Sequence, residues 1–112
     1  MYVLAYNINM KEIFYYTNSN NKCPYLEWYN SLDNSIKHRI DMRIDKLEEG
    51  HYGDYKQISN DLYELRLKFG SGYRIYFTEQ DNIIILILCG GDKSTQSKDI
   101  KKAQAIINEI KE

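Results

Sequence analysis

Two stretches of alternating apolar and polar residues, separated by a glycine turn, constrain the fold of this chain more than any other feature. They occupy residues 62–69 and 73–78, and Gly70-Ser71-Gly72 lies between them. Successive side chains of a β-strand point to opposite faces, so this alternation predicts two strands that each bury one face. The short turn between them predicts an antiparallel hairpin.

The polar face of this hairpin gathers positive charge. A three-residue loop predicts a register in which Lys68 lies opposite Arg74. In the same register Arg66 lies opposite Tyr76. Like charges that face each other across strands cost up to about 1 kcal/mol, and a protein tolerates this cost where it binds an anion. Together with Lys93, in the loop beyond the last strand, these cations predict a phosphate-binding surface. A solvated face of a half-exposed sheet explains the same pattern equally well.

Composition is typical of a folded soluble protein. The 112 residues are 43% hydrophobic and 28% charged, which suits a single domain over residues 1–112 with a modest core. Residues 1–10 are a possible loose extension of it. No apolar run approaches the roughly 20 residues that a membrane helix needs, and the N-terminus lacks a secretory signal. We therefore expect a cytoplasmic protein without membrane contact. The formal net charge is −1, so any nucleic-acid-binding surface must be local.

The cysteines and histidines show no metal-binding pattern. His38 and His51 lie far apart, and the two cysteines, Cys23 and Cys89, have no spacing typical of zinc ligands. Cys89 ends an apolar stretch and is expected to be a small buried side chain. We expect neither a metal site nor a small-molecule cofactor.

The remaining sequence predicts one strand before the hairpin, one after it, and three helices. Residues 11–17 are β-branched and aromatic, and residues 83–89 form the longest apolar run. Pro24 begins the first helix, as proline does at a first helical position. The second helix ends at Gly50, and residues 51–61 are a polar connection.

A C-terminal helix completes the predicted domain. Gly90-Gly91 is expected to end the sheet, and Ser94, Thr95 or Ser97 can cap the helix that follows. The order β-α-α-β-β-β-α predicts an α+β fold. Short loops between successive strands predict an antiparallel sheet of about four strands, packed against an N-terminal helical hairpin.

The order of the motifs is specific enough to resemble one group of proteins. Residues 62–77 read LYELRLKFGSGYRIYF, and residues 87–96 read ILCGGDKSTQ. Both resemble the addiction-module killer proteins, a HigB-like subgroup of the RelE/ParE toxin superfamily. The resemblance covers roughly residues 13–105, and its upstream part includes Trp28, residues 39–47 and Gly50-x-x-Gly53-Asp54-x-Lys56.

The resemblance implies a RelE-like fold and a toxin of a type II toxin–antitoxin system. RelE- and HigB-like toxins cut messenger RNA on the ribosome without a metal, and a small antitoxin, often carrying a helix-turn-helix, neutralises them. The implied activity is therefore that of an mRNA interferase, a metal-independent endoribonuclease that inhibits translation. Its implied partners are a cognate antitoxin, the ribosome and mRNA. Two alternatives stay open: ParE-like toxins share the fold but poison DNA gyrase without being nucleases, and an inactive toxin would only bind its antitoxin.

Residue by residue, the resemblance implies four catalytic candidates. Arg74 occupies the position of a catalytic arginine. Arg66 and Lys68 lie on the strand that supplies further cations, and Lys93 follows the glycines, where related toxins place a basic residue. The best-known members also use a tyrosine near the start of the C-terminal segment for proton transfer, but no tyrosine follows Tyr76 here. The RNA-binding candidates are Lys56, Tyr76, Gln96 and Lys98.

Cleavage of RNA through its 2′-hydroxyl requires charge stabilisation and two proton transfers. Arg74 and Arg66 can clamp the phosphate with bidentate hydrogen bonds. Lys68 or Lys93 can serve as acid or base only if neighbouring cations lower its pKa. The alternatives for proton transfer are Asp92 and Asp99.

Three further side chains have two interpretations each. Tyr76 could stack on an RNA base or pack against the protein. Arg39 and Arg43 lie one turn apart on the second helix, close to several carboxylates. This arrangement predicts a solvated, salt-bridged face rather than a nucleic-acid site.

Overall fold

Five strands and three α-helices make up residues 10–112, the part of the chain that the computed structural model describes. The fold class is α+β, as predicted. The possible loose extension over residues 1–10 lies, apart from residue 10, outside the described residues. The elements are β1 (Glu12–Tyr15), α1 (Pro24–Asn30), α2 (Asn34–Glu48), β2 (Tyr55–Gln57), β3 (Tyr63–Leu67), β4 (Tyr73–Gln80), β5 (Ile84–Gly91) and α3 (Gln96–Ile110).

The strands form one mixed sheet in the order β1-β5-β4-β3-β2. The pairs from β2 to β5 are antiparallel as predicted, but β1 runs parallel to β5. The prediction of an antiparallel sheet of about four strands was therefore wrong in two details: the sheet has five strands, and β1 is parallel to its neighbour. β1 reaches β5 through a long crossover rather than a short loop, as parallel pairing requires. β2 consists of three exposed residues, and it lies within the segment that was predicted to be a polar connection.

The hairpin of β3 and β4 keeps the predicted faces in a register shifted by two residues. Arg66, not Lys68, lies opposite Arg74. The loop spans residues 68–72 instead of three residues, and two of its glycines adopt φ values of 53° and 72°, which glycine reaches at little cost. Because the side-chain period of a strand is two, this shift leaves every residue on its predicted face.

The helices α1 and α2 cover one face of the sheet, as predicted for the helical hairpin. Ile40, Ile44 and Leu47 of α2 are buried in one apolar cluster with the inward side chains of β3, β4 and β5. Tyr25 of α1 joins them, and Trp28 packs at the margin of this cluster. The apolar stripes of both helices, spaced three and four residues apart, are therefore the surface that the sheet buries.

The opposite face is covered by α3 and is less exposed than predicted. Ala103, Ile106 and Ile107 of α3 are buried against Tyr76 and Leu88 of the sheet. A bulge opposite the Tyr76–Phe77 step lets Leu88 and Cys89 join this cluster together. The face that carries the cations is thus covered at the end where α3 lies and open at the end where the β3–β4 turn lies.

The two consecutive glycines are the last residues of β5, which therefore ends where it was predicted to end. A Cβ atom on Gly90 would lie 2.2 Å from the Trp28 ring, and one on Gly91 would lie 1.8 Å from Asp99 Oδ2. Because adjacent residues of a strand face opposite sides, Gly90 admits a side chain from α1 and Gly91 admits one from α3. Close approach of both helices to the end of β5 thus requires glycine at these positions.

The helices of residues 10–112 are too short or too polar for a membrane span.

Candidate phosphate-binding site

An open depression of about 610 Å³ lies at the end of the β3–β4 hairpin. All four predicted catalytic residues line it: Arg66, Arg74, Lys68 and Lys93. The turn over residues 69–72 forms its rim. Within residues 10–112, no carboxylate lines it, which makes it a local concentration of positive charge in a chain whose formal net charge is −1.

A buried carboxylate, Glu64, organises the two arginines from below. Its Oε1 accepts a hydrogen bond of 2.8 Å from Arg66 Nε. Its Oε2 accepts from Gln96 Nε2 at 2.8 Å and from the Tyr76 hydroxyl at 3.0 Å. Arg74 Nε lies 3.6 Å from the same Oε2. Glu64 is fully buried, and sequence reasoning placed it on the polar face without giving it a role.

Both arginines turn their Nε inward and leave donors on the open side. Within residues 10–112, the guanidinium of Arg66 hydrogen-bonds only through Nε, and that of Arg74 only through Nη1, which donates to the Gly72 carbonyl at 2.7 Å. Arg74 Nε is buried and lies too far from Glu64 for a hydrogen bond. A guanidinium has five N–H groups, so each arginine retains terminal donors for a ligand.

The shared hydrogen bonds fix the protonation states of this network. Burial acts to raise the pKa of Glu64, but hydrogen bonds from Arg66, Gln96 and Tyr76 outweigh burial and lower it. The bond to Glu64 raises the pKa of Arg66. Burial, reinforced by the charge of Glu64, raises the pKa of Tyr76. Glu64 is therefore a structural anion at neutral pH, and Tyr76 is a permanent hydrogen-bond donor.

Lys93 approaches the depression from the segment between β5 and α3. A single 3₁₀ turn, Lys93–Thr95, precedes α3, and Asp92 caps it by accepting from Ser94 N at 2.8 Å. A Cβ atom on Gly72 would lie 3.3 Å from Arg74 Nη1 and 3.4 Å from Lys93 Cβ. Because Gly72 has no side chain, Arg74 and Lys93 can both lie close to it.

Lys68 does not join the arginine pair as predicted, and the RNA-binding candidates Lys56 and Lys98 lie outside the depression. Lys68 lies beyond the end of β3, is exposed, and pairs with Asp54 at 3.5 Å. It lines the rim of the depression rather than the arginine pair. Lys56 lies opposite Glu64 on β2 and Lys98 lies on α3, and neither is among the lining residues.

Two predicted RNA-binding residues belong to the support of the site. Tyr76 is fully buried under α3, so its ring cannot stack on a base, and that prediction was wrong. Gln96, at the start of α3, is half-buried and donates a hydrogen bond from its side-chain amide to Glu64. The two residues orient the carboxylate that in turn orients the arginines.

Arg43 is a second positioning residue that sequence reasoning missed. Its guanidinium donates to the carbonyls of Arg66 at 2.5 Å, Tyr52 at 2.9 Å and Asp54 at 2.7 Å. Burial lowers its pKa, with the charge of Asp54 acting in the other direction. Arg43 therefore links α2 to β3 at the backbone of Arg66 and does not form the predicted salt-bridged surface.

The two aspartates considered for proton transfer have other structural roles. Asp92 caps the 3₁₀ turn, and its hydrogen bonds with Ser94 help to lower its pKa. Asp99 is buried and accepts a hydrogen bond of 2.5 Å from Thr95. Neither carboxylate lines the depression. Lys93 and Lys68, the other two candidates for proton transfer, both line it.

Comparison with known proteins identifies sequence and structural similarity on the same core. Residues 27–111 match the model of a family described as phage-derived protein Gp49-like. An uncharacterized protein of Haemophilus influenzae is 43% identical over 84 residues, which cover 74% of this chain and 85% of that protein. The structure of an E. coli toxin RelE mutant in the free state, with two arginines replaced by alanine, superposes with a TM-score of 0.64 at 15% identity, covering 88% of this chain and 98% of that one.

Proposed function

Because this chain belongs to the phage-derived protein Gp49-like family and has the fold of a RelE structure, we propose that it is the toxin of a toxin–antitoxin pair. We propose further that it cleaves messenger RNA on the ribosome and so inhibits translation. A cognate antitoxin protein would neutralise it. The HigB-like motifs of residues 62–77 and 87–96 support this branch of the superfamily.

The anchoring of two guanidiniums on one buried carboxylate carries this proposal. Arg66 and Arg74 are held at the floor of an open depression by their inward nitrogens. Their outward donors match the geometry of a phosphate, which accepts two parallel hydrogen bonds from a guanidinium. A surface of solvated charges needs no such support, because flexible side chains gain little from being fixed.

The proposed chemistry is attack of the ribose 2′-oxygen on the adjacent phosphorus. The new O–P bond forms as the bond to the 5′-oxygen breaks, and the five-coordinate transition state carries extra negative charge on its non-bridging oxygens. Arg66 and Arg74 stabilise that charge, because they are ordered before the reaction begins. We assign protonation of the departing 5′-oxygen to Lys93 and removal of the 2′-hydroxyl proton to groups of the ribosome, since no carboxylate of residues 10–112 lines the depression.

A translation extract tests this function. Wild-type protein is expected to produce breaks in a translated mRNA that require ribosomes, and Arg74→Ala is expected to reduce the cleavage rate by roughly 10²–10³-fold. Lys101→Ala, an exposed change on α3 that leaves the site intact, should cleave like wild type. Intact mRNA together with DNA breaks or blocked supercoiling would instead indicate a gyrase poison, and no effect on either would indicate a protein that only binds antitoxin.

A further inference from the structure

The basic depression continues into a second one across the β3–β4 turn. A shallow groove of about 350 Å³ lies between α2 and the end of β3, and it shares Leu67, Lys68 and Phe69 with the arginine site. The other side chains that line this groove are Arg39, Met42, Arg43 and Lys46. The two depressions therefore adjoin at the hairpin end and form one track, which passes from the sheet face covered by α2 to the face that carries the arginines.

Carboxylates are absent from the lining of the whole track. The chain has 16 acidic residues, yet neither depression includes one. Lys46 makes a single ion pair of 4.0 Å with Glu49, and both side chains are largely exposed, so this pair contributes little and leaves the lysine available. Within residues 10–112, no carboxylate lies within ion-pair distance of Arg39.

An aromatic side chain lies at the centre of the track. The Arg39 guanidinium stacks 4.0 Å from the centroid of the Phe69 ring, and Phe69 packs against Tyr73 at 5.2 Å. Phe69 leaves the strand at the shifted turn and stands between the two depressions. Alternating cations and aromatic or guanidinium planes are the features of single-stranded nucleic-acid tracks, where phosphates meet charges and bases stack.

We propose that this second groove binds the single-stranded RNA that flanks the cleaved phosphodiester, with Arg39 and Lys46 contacting its phosphates. The continuity of the groove with the arginine site identifies the occupant as the same strand. The inference rests on the proposed function for the identity of that strand, and it extends the site by a specific surface. Arg39, which the sequence predicted to be part of a solvated salt-bridged face, thereby becomes a binding residue.

Binding of uncleavable oligonucleotides tests this surface directly. The probes are fluorescein-labelled 2′-O-methyl RNAs of about 4 and about 12 nucleotides, followed by fluorescence anisotropy across a range of salt concentrations. Wild-type protein should bind the longer probe more tightly. The double variant Arg39→Gln/Lys46→Gln should bind the longer probe roughly 25-fold more weakly at 0.1 M salt and reduce the salt slope by about 1.4. Its affinity for the shorter probe should not change.

Matched variants separate this inference from the proposed cleavage. Lys101→Gln/Lys102→Gln removes two exposed lysines of α3 outside the track and should bind both probes like wild type. Arg66→Ala/Arg74→Ala should abolish cleavage and weaken both probes equally. If cleavage is never observed but Arg39→Gln/Lys46→Gln still weakens binding of the longer probe alone, the RNA-binding groove is supported and the nuclease function is contradicted. Equal wild-type affinity for the two probes would overturn the inference, and so would unchanged binding of the longer probe by the double variant. Binding of the protein to ribosomal RNA but to neither probe would overturn it as well.

Discussion

Arg66 and Arg74 lie directly opposite each other on neighbouring antiparallel strands, and the nearest counter-charge to both is the carboxylate of Glu64. Two cations on directly opposite residues of neighbouring strands repel each other. The buried carboxylate of Glu64 offsets this repulsion and holds both side chains in place. The result is a pair of arginines with an excess charge that faces the depression. This relationship leads to the first three predictions.

Glu64→Gln should destabilise the fold and inactivate the site together. An amide of the same shape carries no charge, so two arginines lose their counter-ion and one of the buried donors loses its acceptor. Loss of one partner from a buried charge network costs about 3–5 kcal/mol. Urea unfolding should show a lower midpoint with an unchanged slope, and the remaining folded protein should cleave mRNA poorly.

The matched control for Glu64→Gln is Glu12→Gln, since Glu12 is exposed at the start of β1. It should change neither stability nor activity. A Glu64→Gln variant as stable and active as wild type would show that the arginines need no support.

Stability should fall in acid because hydrogen bonds from Arg66, Gln96 and Tyr76 stabilise Glu64 as an anion. Its folded pKa is lowered below the ordinary value of 4.5, so its contribution is fully present above that value and is lost as pH falls through the folded pKa. Asp61 and Asp92 also have lowered pKa values and should leave some acid dependence in Glu64→Gln. Urea titrations at a series of pH values should therefore give a steeper acid decline for wild type than for the variant. Parallel curves would contradict this assignment.

Exchanging the cation type should distinguish the clamp from the proton donor. Arg74→Lys keeps the charge but loses the planar fork, so it should recover little of the activity that Arg74→Ala loses. Lys93→Arg keeps the charge, but a guanidinium does not release its proton near neutral pH. Its cleavage rate should fall by roughly 10²-fold or more, measured under single-turnover conditions on ribosomes. Full activity of Lys93→Arg would reduce Lys93 to a phosphate contact.

Gly90→Ala should disturb the packing of Trp28. The new Cβ would lie 2.2 Å from the indole ring, and overpacking of this kind costs typically 1–3 kcal/mol. Trp28 is the single tryptophan of the chain, so its fluorescence spectrum reports the change directly. Gly91→Ala provides the comparison, because its Cβ would collide with Asp99 on the other face. It should lower stability while leaving the Trp28 emission close to that of wild type.

The faces of the sheet were predictable from local pattern, but the register was not. Alternation fixed which side chains of β3 and β4 are buried, since a strand has a period of two. Register depends on how many residues the turn uses, and the positive φ angles of Gly70 and Gly72 support a five-residue loop. The three-residue loop placed Lys68, instead of Arg66, opposite Arg74. Arg66 and Arg74 still share the predicted face, because a shift of two residues preserves it, whereas Lys68 lies beyond the end of β3 and pairs with Asp54.

Some features left no local signal. β2 has three exposed residues and no alternation, so only its pairing with β3 defines it as a strand. Glu64 and Arg43 look like ordinary charged residues in the sequence, and their roles depend on partners up to 32 residues away. The parallel pairing of β1 with β5 depends on a crossover, which short-loop reasoning does not address.

Residue spacing within single elements was enough to predict the α+β class, the helix stripes, the buried faces and the set of cations. Which cations meet, what holds them and which surface lies beside them depend on contacts between elements. Those outcomes depend on desolvation: burying Glu64 beneath α3 makes its charge a strong anchor for Arg66 and Arg74, and that burial arises from contacts between elements distant in the chain.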